Sequence, residues 1–285
     1  MCILFVHTNP KPEENEYRLI IATNRDEFYK RPAQPVYQCP ETKVIAGRDM
    51  EPGREGGSWL GFKSKINSKT GETMKHCFSC LTNISNCPKV DNPTGRGRLV
   101  IDYLESELNY PEYVKLLSRN GLRYSGYNLV AVELSIDGSI QIYHHSNFPQ
   151  IDSVYDGKHT LGFGNSPVSS PYMKVFHGKE RFEDIIQQNF ERTKLKNELL
   201  SLLKDPTKYL PDKELERRSV HALEKLSSIF VDFKEAGYGT RTHTIILIDK
   251  EWNLEFTEVT LEEPIDVDNL KWNTRTENIV IWSSI

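Results

Sequence analysis

The most constraining feature of this chain is where its apolar runs fall. Cys2-Ile3-Leu4-Phe5-Val6 opens the chain, and Tyr17-Arg18-Leu19-Ile20-Ile21-Ala22-Thr23 follows after a short polar stretch with two prolines. Both runs have strand length and are rich in β-branched residues, and the segment between them suits a hairpin loop. At the other end, Thr242–Ile248 and Leu254–Val259 flank Asp249-Lys250 and read as a second antiparallel pair. Between these ends, Arg98–Leu108, Pro111–Ser118, Lys179–Lys204 and Asp212–Phe230 carry helical spacing. Strands at both ends with helices between predict one layered α/β domain over residues 1–285 rather than two separate domains.

Further strands are predicted at Lys43–Gly47, Ser58–Phe62, Tyr127–Glu133 and Ser139–His144, with a turn at Asp137-Gly138. Glu51–Gly57 reads as a loop and Ser64–Lys75 as a polar, flexible hairpin tip. There is no internal repeat. With 38% hydrophobic and 27% charged residues, the 285-residue chain can bury a sizeable core. Its formal charge of -4 gives no basic footprint for a nucleic acid. No apolar run reaches the roughly 20 residues of a membrane helix. The opening run lacks the flanks of a signal peptide, so a cytosolic start with reduced thiols is expected. The odd count of five cysteines fits that expectation.

Several short motifs stand in a fixed order. Asn24-Arg25-Asp26-Glu27 follows the second strand, and Met1-Cys2-Ile3 opens the first. Glu55-Gly56-Gly57-Ser58-Trp59-Leu60-Gly61, Leu81-Thr82-Asn83, Gly95-Arg96-Gly97, Gly126-Tyr127-Asn128-Leu129 and Gly237-Tyr238-Gly239-Thr240-Arg241-Thr242 come after them. Together they closely resemble the NRDE family, also called the Transport and Golgi organization protein 2 family, from Cys2 to about Glu258. That family is similar to N-terminal-nucleophile hydrolases of the choloylglycine hydrolase and acid ceramidase kind. The resemblance implies an α+β fold, a four-layer αββα sandwich with two mainly antiparallel sheets between helical layers. It implies Cys2 as the nucleophile once Met1 is removed, with Arg25 and Asp26 after the second strand. It also implies Asn83 as an oxyanion-hole asparagine, Asn165 as a second pocket asparagine and Arg241 on a late strand. Asn24, Glu27 and Trp59 are expected to contribute to ligand binding.

The chemistry of these residue types agrees with such a pocket. The thiolate is the reactive form of cysteine. An α-amine on Cys2 itself would lie beside its own sulfur and titrate near neutrality, so it can act as the base. Arg25 and Arg241 would stabilise the thiolate, and Asp26 would hold the amine. Arg25 and Asp26 cannot share a face of a continuous strand, so a bend after Thr23 is expected. Against these readings, Asn24, Asp26 and Glu27 could cap a turn, with Glu27 paired to Arg31 at the surface.

Other features are weaker. Cys77 and Cys80 form a single CxxC with Cys87 nearby; without a second pair, buried thiols are expected rather than a metal site. Cys39-Pro40 and Cys87-Pro88 are short Cys-Pro dipeptides. His144-His145 is expected at the surface. The resemblance puts intracellular haem trafficking first among functions, with haem as cargo and no required cofactor. An apolar groove with an axial ligand would be needed, for which Cys2 and His7 are candidates. Binding of an acyl-CoA or lipid, or Cys2-dependent hydrolysis of an amide or thioester in lipid homeostasis, stays open beside it. The partner is thus a small hydrophobic ligand, and the resemblance adds association with mitochondria.

Overall fold

The computed structural model describes residues 1–66, 70, 72–119 and 124–281. Among these the chain runs β1 (Ile3–Thr8), β2 (Tyr17–Phe28), β3 (Ala33–Gln38), β4 (Ile45–Asp49), β5 (Leu60–Ile66), β6 (Thr73–Asn83), α1 (Gly97–Glu105) and α2 (Tyr110–Arg119). It continues through β7 (Tyr127–Ser135), β8 (Ile140–Asn147), β9 (Gln150–Asp156), β10 (His159–Phe163), α3 (Met173–Gln187), α4 (Arg192–Leu203), α5 (Lys213–Ser219) and α6 (Leu223–Leu226). The last strands are β11 (Asp232–Phe233), β12 (Tyr238–Asp249), β13 (Asn253–Leu261) and β14 (Trp272–Val280). This is an α+β fold with two antiparallel seven-stranded sheets. The chain forms two compact units, Met1–Arg31 with Lys158–Ile285, and Pro32–Gly157.

The first unit holds the sheet β10-β1-β2-β12-β13-β14, with β11 also on β12. The strands read near both ends of the chain therefore lie in one sheet. Ile3, Phe5, Ile20, Ala22, Ile245 and Leu247 point to one face, where Phe182, Leu195, Leu199 and Leu202 of α3 and α4 cover them. Phe5 stacks on Phe182 with centroids 5.6 Å apart. Gly178 lets α3 approach this closely: a Cβ there would sit 2.4 Å from the Phe5 ring. Asp212 caps α5 by accepting from Leu215 N at 2.8 Å, and its other oxygen accepts from Met173 N at 2.7 Å. One carboxylate thus fixes the starts of both α5 and α3.

The second unit is a meander, β3-β4-β5-β6-β7-β8-β9. Val44, Ala46, Cys77, Leu129 and Ala131 bury one face under Leu99, Tyr103, Leu104 and Tyr113 of α1 and α2.

Three expectations need correction. The helical stretch read over Lys179–Lys204 is not continuous: it belongs to two helices, α3 and α4, parted where Asn189 takes φ 47°. The bend expected after Thr23 does not occur, because β2 runs unbroken to Phe28. The irregularity sits on the partner strand instead. Thr240 opposes Asp26 and Thr242 opposes Arg25, so Arg241 is bulged out of β12. His144 and His145 are not at the surface; they are 1% and 4% exposed, in the interior of β8. The predicted hairpin tip at Ser64–Lys75 falls partly outside the described residues.

Candidate active site

The register of β1 on β2 builds the site. Ile3 pairs with Asn24, and β1 begins there. β2 continues past it, so Met1 and Cys2 come alongside Arg25 and Asp26. Alternation puts Cys2 on the face of Arg25, while Asp26 shares the helix-covered face with Asn24 and Ala22. Adjacent residues of the motif thereby serve opposite faces of one sheet, and no bend is needed.

The carbonyl oxygen of Asp26 is the hub. It accepts from the Met1 amino group at 3.4 Å and from the Tyr238 hydroxyl at 3.2 Å, and the Cys2 Sγ lies 4.0 Å away. The Asp26 side chain accepts from Thr240 Oγ1 at 2.7 Å through Oδ1. Its Oδ2 makes no hydrogen bond among the described residues and faces the Met1 ammonium at 3.7 Å. Burial pushes the Asp26 carboxyl above the ordinary carboxylate range, against the pull of the Met1 ammonium and Lys174. Burial likewise raises the Cys2 thiol, opposed by the Met1 ammonium and Arg25. With Met1 in place, then, burial outweighs the neighbouring positive charges and keeps the Cys2 thiol neutral.

Lys174 is the residue that sequence reasoning missed. It lies in the first turn of α3, is 1% exposed, and donates to Ser228 O at 2.9 Å. Burial lowers its pKa, and the charges of Asp26 and Cys2 oppose that fall. The Gly164-Asn165-Ser166 turn completes this side. Tyr172 donates to Asn165 O at 3.1 Å, and a Cβ on Gly164 would lie 2.6 Å from Val175 and 4.0 Å from Cys2 O. Asn165 is 3% exposed. The structure thus brings Cys2, Arg25, Asp26 and Asn165 together, with Lys174, Tyr238 and Thr240. Tyr238 and Thr240 lie in a motif visible in the sequence, but nothing marked Lys174 as buried.

The other predicted residues have different surroundings. Arg241 donates to Phe28 O at 2.8 Å, to Arg31 O and to Glu263 at 2.5 Å, clamping the end of β2. Asn24 donates from Nδ2 to Leu203 O and Ile229 O at 2.8 and 3.0 Å, and its Oδ1 meets His243 Nδ1 at 2.7 Å. Its amide ties β2 to the end of α4. Glu27 pairs with Arg31 at 3.7 Å. Asn83 and Trp59 belong to the second unit. Asn83 closes β6 opposite Tyr127 and is exposed, and the Trp59 ring packs over Gly47. Cys77 and Cys80, three apart on a strand, point to opposite faces of β6 and are both buried.

Residues 1–263 match the family described as Transport and Golgi organisation 2. The cattle (Bos taurus) Transport and Golgi organization protein 2 homolog is 33% identical over 289 residues, covering 99% of this chain and 100% of that protein. The Drosophila melanogaster Transport and Golgi organization protein 2 is 35% identical over 268 residues, covering 92% of each. The human (Homo sapiens) homolog is 33% identical over 290 residues, with coverage of 99% and 100%. Among solved structures, penicillin V acylase from Agrobacterium tumefaciens aligns over 96% of this chain and 90% of its own, with 12% identity and a TM-score of 0.38.

Proposed function

The chain belongs to the Transport and Golgi organisation 2 family, and from that premise we propose that it is an N-terminal-cysteine acyl-transfer enzyme acting on a thioester or amide of an apolar acid. The observation that carries this reading is the convergence of the amino terminus, the Cys2 thiol and the Asp26 carboxylate beside Arg25. Removal of Met1 exposes the α-amine of Cys2 next to its own sulfur. That amine takes the thiol proton, and the thiolate sulfur attacks the substrate carbonyl carbon. The carbonyl pair moves to oxygen, where Asn165 is a candidate donor, and Arg25 supports the negative charge. Collapse breaks the bond to the leaving thiol or amine, which departs with the proton. Water then cleaves the acyl-Cys2 thioester.

Intact mass before and after incubation with thiophenyl octanoate tests the reading. The Met1-free chain is expected to gain one octanoyl group on Cys2, and Cys2→Ala none. A Met1-free chain that stays unmodified defeats the proposal.

Haem carriage is the second reading, favoured by one cleft. His7 is buried and held by Thr160 Oγ1 at 2.8 Å, with its pKa pulled down to about 4 by burial, so its imidazole is neutral at pH 7. His159 and Lys158 line the same cleft and offer a second imidazole and a cation for a propionate. Glu16, Glu183 and Gln187 also line it, and a macrocycle prefers an apolar wall, which is why this reading comes second. A Soret band saturating at one haem per chain and lost in His7→Ala would move it to first place.

A further inference from the structure

We propose that Tyr127 is a redox-active tyrosine, which gives one electron to an organic peroxyl radical and its hydroxyl proton to His145. The activity belongs to the second unit and is independent of the chemistry at Cys2. Two motifs that the Cys2 site leaves unused meet here. Tyr127 and Asn128 of the Gly126–Leu129 run hold His145 and His144 at 3.1 and 3.0 Å. Alternation sends the two pairs to opposite faces of the sheet. On the face of Tyr127 the chain of contacts continues, because His145 Nδ1 meets Asp152 Oδ1 at 2.7 Å. His145 pairs across the ladders with Asp152 on one side and with Leu129, two residues from Tyr127, on the other. Three neighbouring strands, β7, β8 and β9, thus supply a phenol, an imidazole and a carboxylate in a row.

The direction of this row is fixed by its last member. A carboxylate only accepts, so the hydrogen of the His145–Asp152 contact sits on Nδ1. In the neutral imidazole this leaves the Nε2 lone pair for the Tyr127 hydroxyl, which donates to it. The Asp152 side chain is 59% exposed while Tyr127 and His145 are buried, so the row joins a buried phenol to solvent.

Six tyrosines crowd this core, and the partner of its hydroxyl sets Tyr127 apart. Tyr110 and Tyr113 donate to the carbonyl oxygens of Leu129 and Leu99, and Tyr143 donates to the Gln141 amide oxygen. None of these acceptors is a base. Tyr103 donates to a Glu133 oxygen that already accepts from Lys75 and the Tyr110 amide. Among the described residues, Tyr127 is the tyrosine of this core that donates to an imidazole. Burial raises the Tyr127 phenol above its ordinary range, so phenolate is not at hand near pH 7. The electron therefore leaves with the proton, and His145 receives that proton without either group moving. Tyr124 meets the Tyr127 ring edge to face at 5.8 Å, and Tyr103, Tyr110 and Tyr143 follow one another at 5.3 and 5.1 Å. These ring contacts carry an electron between the surface and the buried phenol. A neutral organic radical suits such an apolar aromatic approach better than a charged oxidant does.

The step balances. The peroxyl radical takes one electron from Tyr127 and becomes a peroxide anion, which takes a proton from solvent. The Tyr127 O–H bond breaks, its proton forms the N–H bond at His145 Nε2, and a phenoxyl radical remains. Asp152 faces the new imidazolium. Ascorbate, a one-electron reductant, returns the electron, and the His145 proton goes back to the phenol oxygen.

Freeze-quenched electron paramagnetic resonance of the full chain tests this. Two oxidants are used: photogenerated ruthenium(III) tris-bipyridine, and peroxyl radicals released in air from a water-soluble azo initiator. Both are expected to give a tyrosyl signal that ascorbate erases and that Tyr127→Phe removes. His145→Gln keeps an acceptor but no base, and should slow formation of the signal by about a hundredfold. Asp152→Asn changes an exposed side chain that the fold does not depend on, and should slow it in the same sense. A signal that survives Tyr127→Phe, or one that forms as fast in Asp152→Asn as in the unsubstituted chain, overturns the proposal. So does an unsubstituted chain that gives no tyrosyl signal with ruthenium(III). A signal with ruthenium(III) and none with peroxyl radicals overturns the peroxyl radical as the oxidant.

Discussion

Asp26 in the first unit and Glu133 in the second are carboxylates on inner strands, 4% and 5% exposed. Glu133 Oε1 accepts from the Tyr103 hydroxyl at 2.6 Å, from Lys75 Nζ at 2.8 Å and from Tyr110 N at 3.1 Å. Three donors on three elements, β6, α1 and the start of α2, converge on one oxygen, so the charge joins helices to sheet. Among the described residues Asp26 has one side-chain hydrogen bond, at Oδ1, and its Oδ2 has no hydrogen bond, only the Met1 ammonium at 3.7 Å. A buried charge that is fully satisfied serves the fold. One left under-satisfied is costly to the fold, and its place beside Cys2 gives it something to act on.

The largest effect that separates the two is on stability. Glu133→Ala strands the Tyr103 hydroxyl and the Tyr110 amide in the interior, so urea unfolding should show a loss of about 3–5 kcal/mol. A loss below 1 kcal/mol would mean that Glu133 is no more structural than Asp26.

Acid separates the units next. Burial pulls His76 and His144, both in the second unit, down to about 4. A folded pKa below the ordinary 6.5 gives stability that is full above 6.5 and lost as pH falls through 4. Each histidine accounts for on the order of 3 kcal/mol by linkage. His7 and His243 of the first unit, at about 4 and about 3, act in the same sense. Asp26 acts in the opposite sense there. Its raised pKa makes its contribution full below the ordinary 3.8 and lost as pH rises through the folded value. Hydrogen exchange between pH 7 and 4 should therefore open the amides of β6 and β8 before those of β1 and β2. The reverse order would break the comparison.

The smallest stability effect belongs to Asp26→Asn. The amide keeps an acceptor for Thr240 and removes a poorly satisfied buried charge, so unfolding free energy at pH 7 should change by about 1 kcal/mol or less. Octanoylation of Cys2 should nonetheless be lost. A variant that unfolds like Glu133→Ala would make Asp26 a structural residue.

Much of the first unit was legible in the sequence, because β1, β2, β12 and β13 are apolar runs with turn residues between them. The strands that escaped notice are mostly at sheet edges. β3 carries Pro35, and β14 is Trp-Asn-Thr-Arg-Thr-Glu-Asn-Ile-Val, polar at most positions. An edge strand packs little, so hydrophobic pattern says little about it. The NRDE run marked the site, but the face each residue serves depends on β12, more than 200 positions away. Lys174 and His144-His145 failed for a common reason. Their residue types are ordinarily solvated, and only tertiary structure supplies the Ser228 carbonyl for the one, and Asn128 and Tyr127 for the other two.

The bulge at Arg241 also bears on how length changes can enter this sheet. Before it, Tyr238 and Thr240 share the face of Phe28 and Asp26; after it, His243, Ile245 and Leu247 occupy that face opposite Asn24, Ala22 and Ile20. The residue acts as a half-step in the parity of the strand. Deleting it would leave a continuous ladder with every core residue still facing inward, at the expense of the clamp on Phe28 and Arg31. Deleting a residue inside Thr242–Ile248 would turn the preceding or following part of β12 inside out. Alignment gaps in this strand are therefore expected to gather at position 241, and an arginine kept there marks the sheets that still need their β2 ends held.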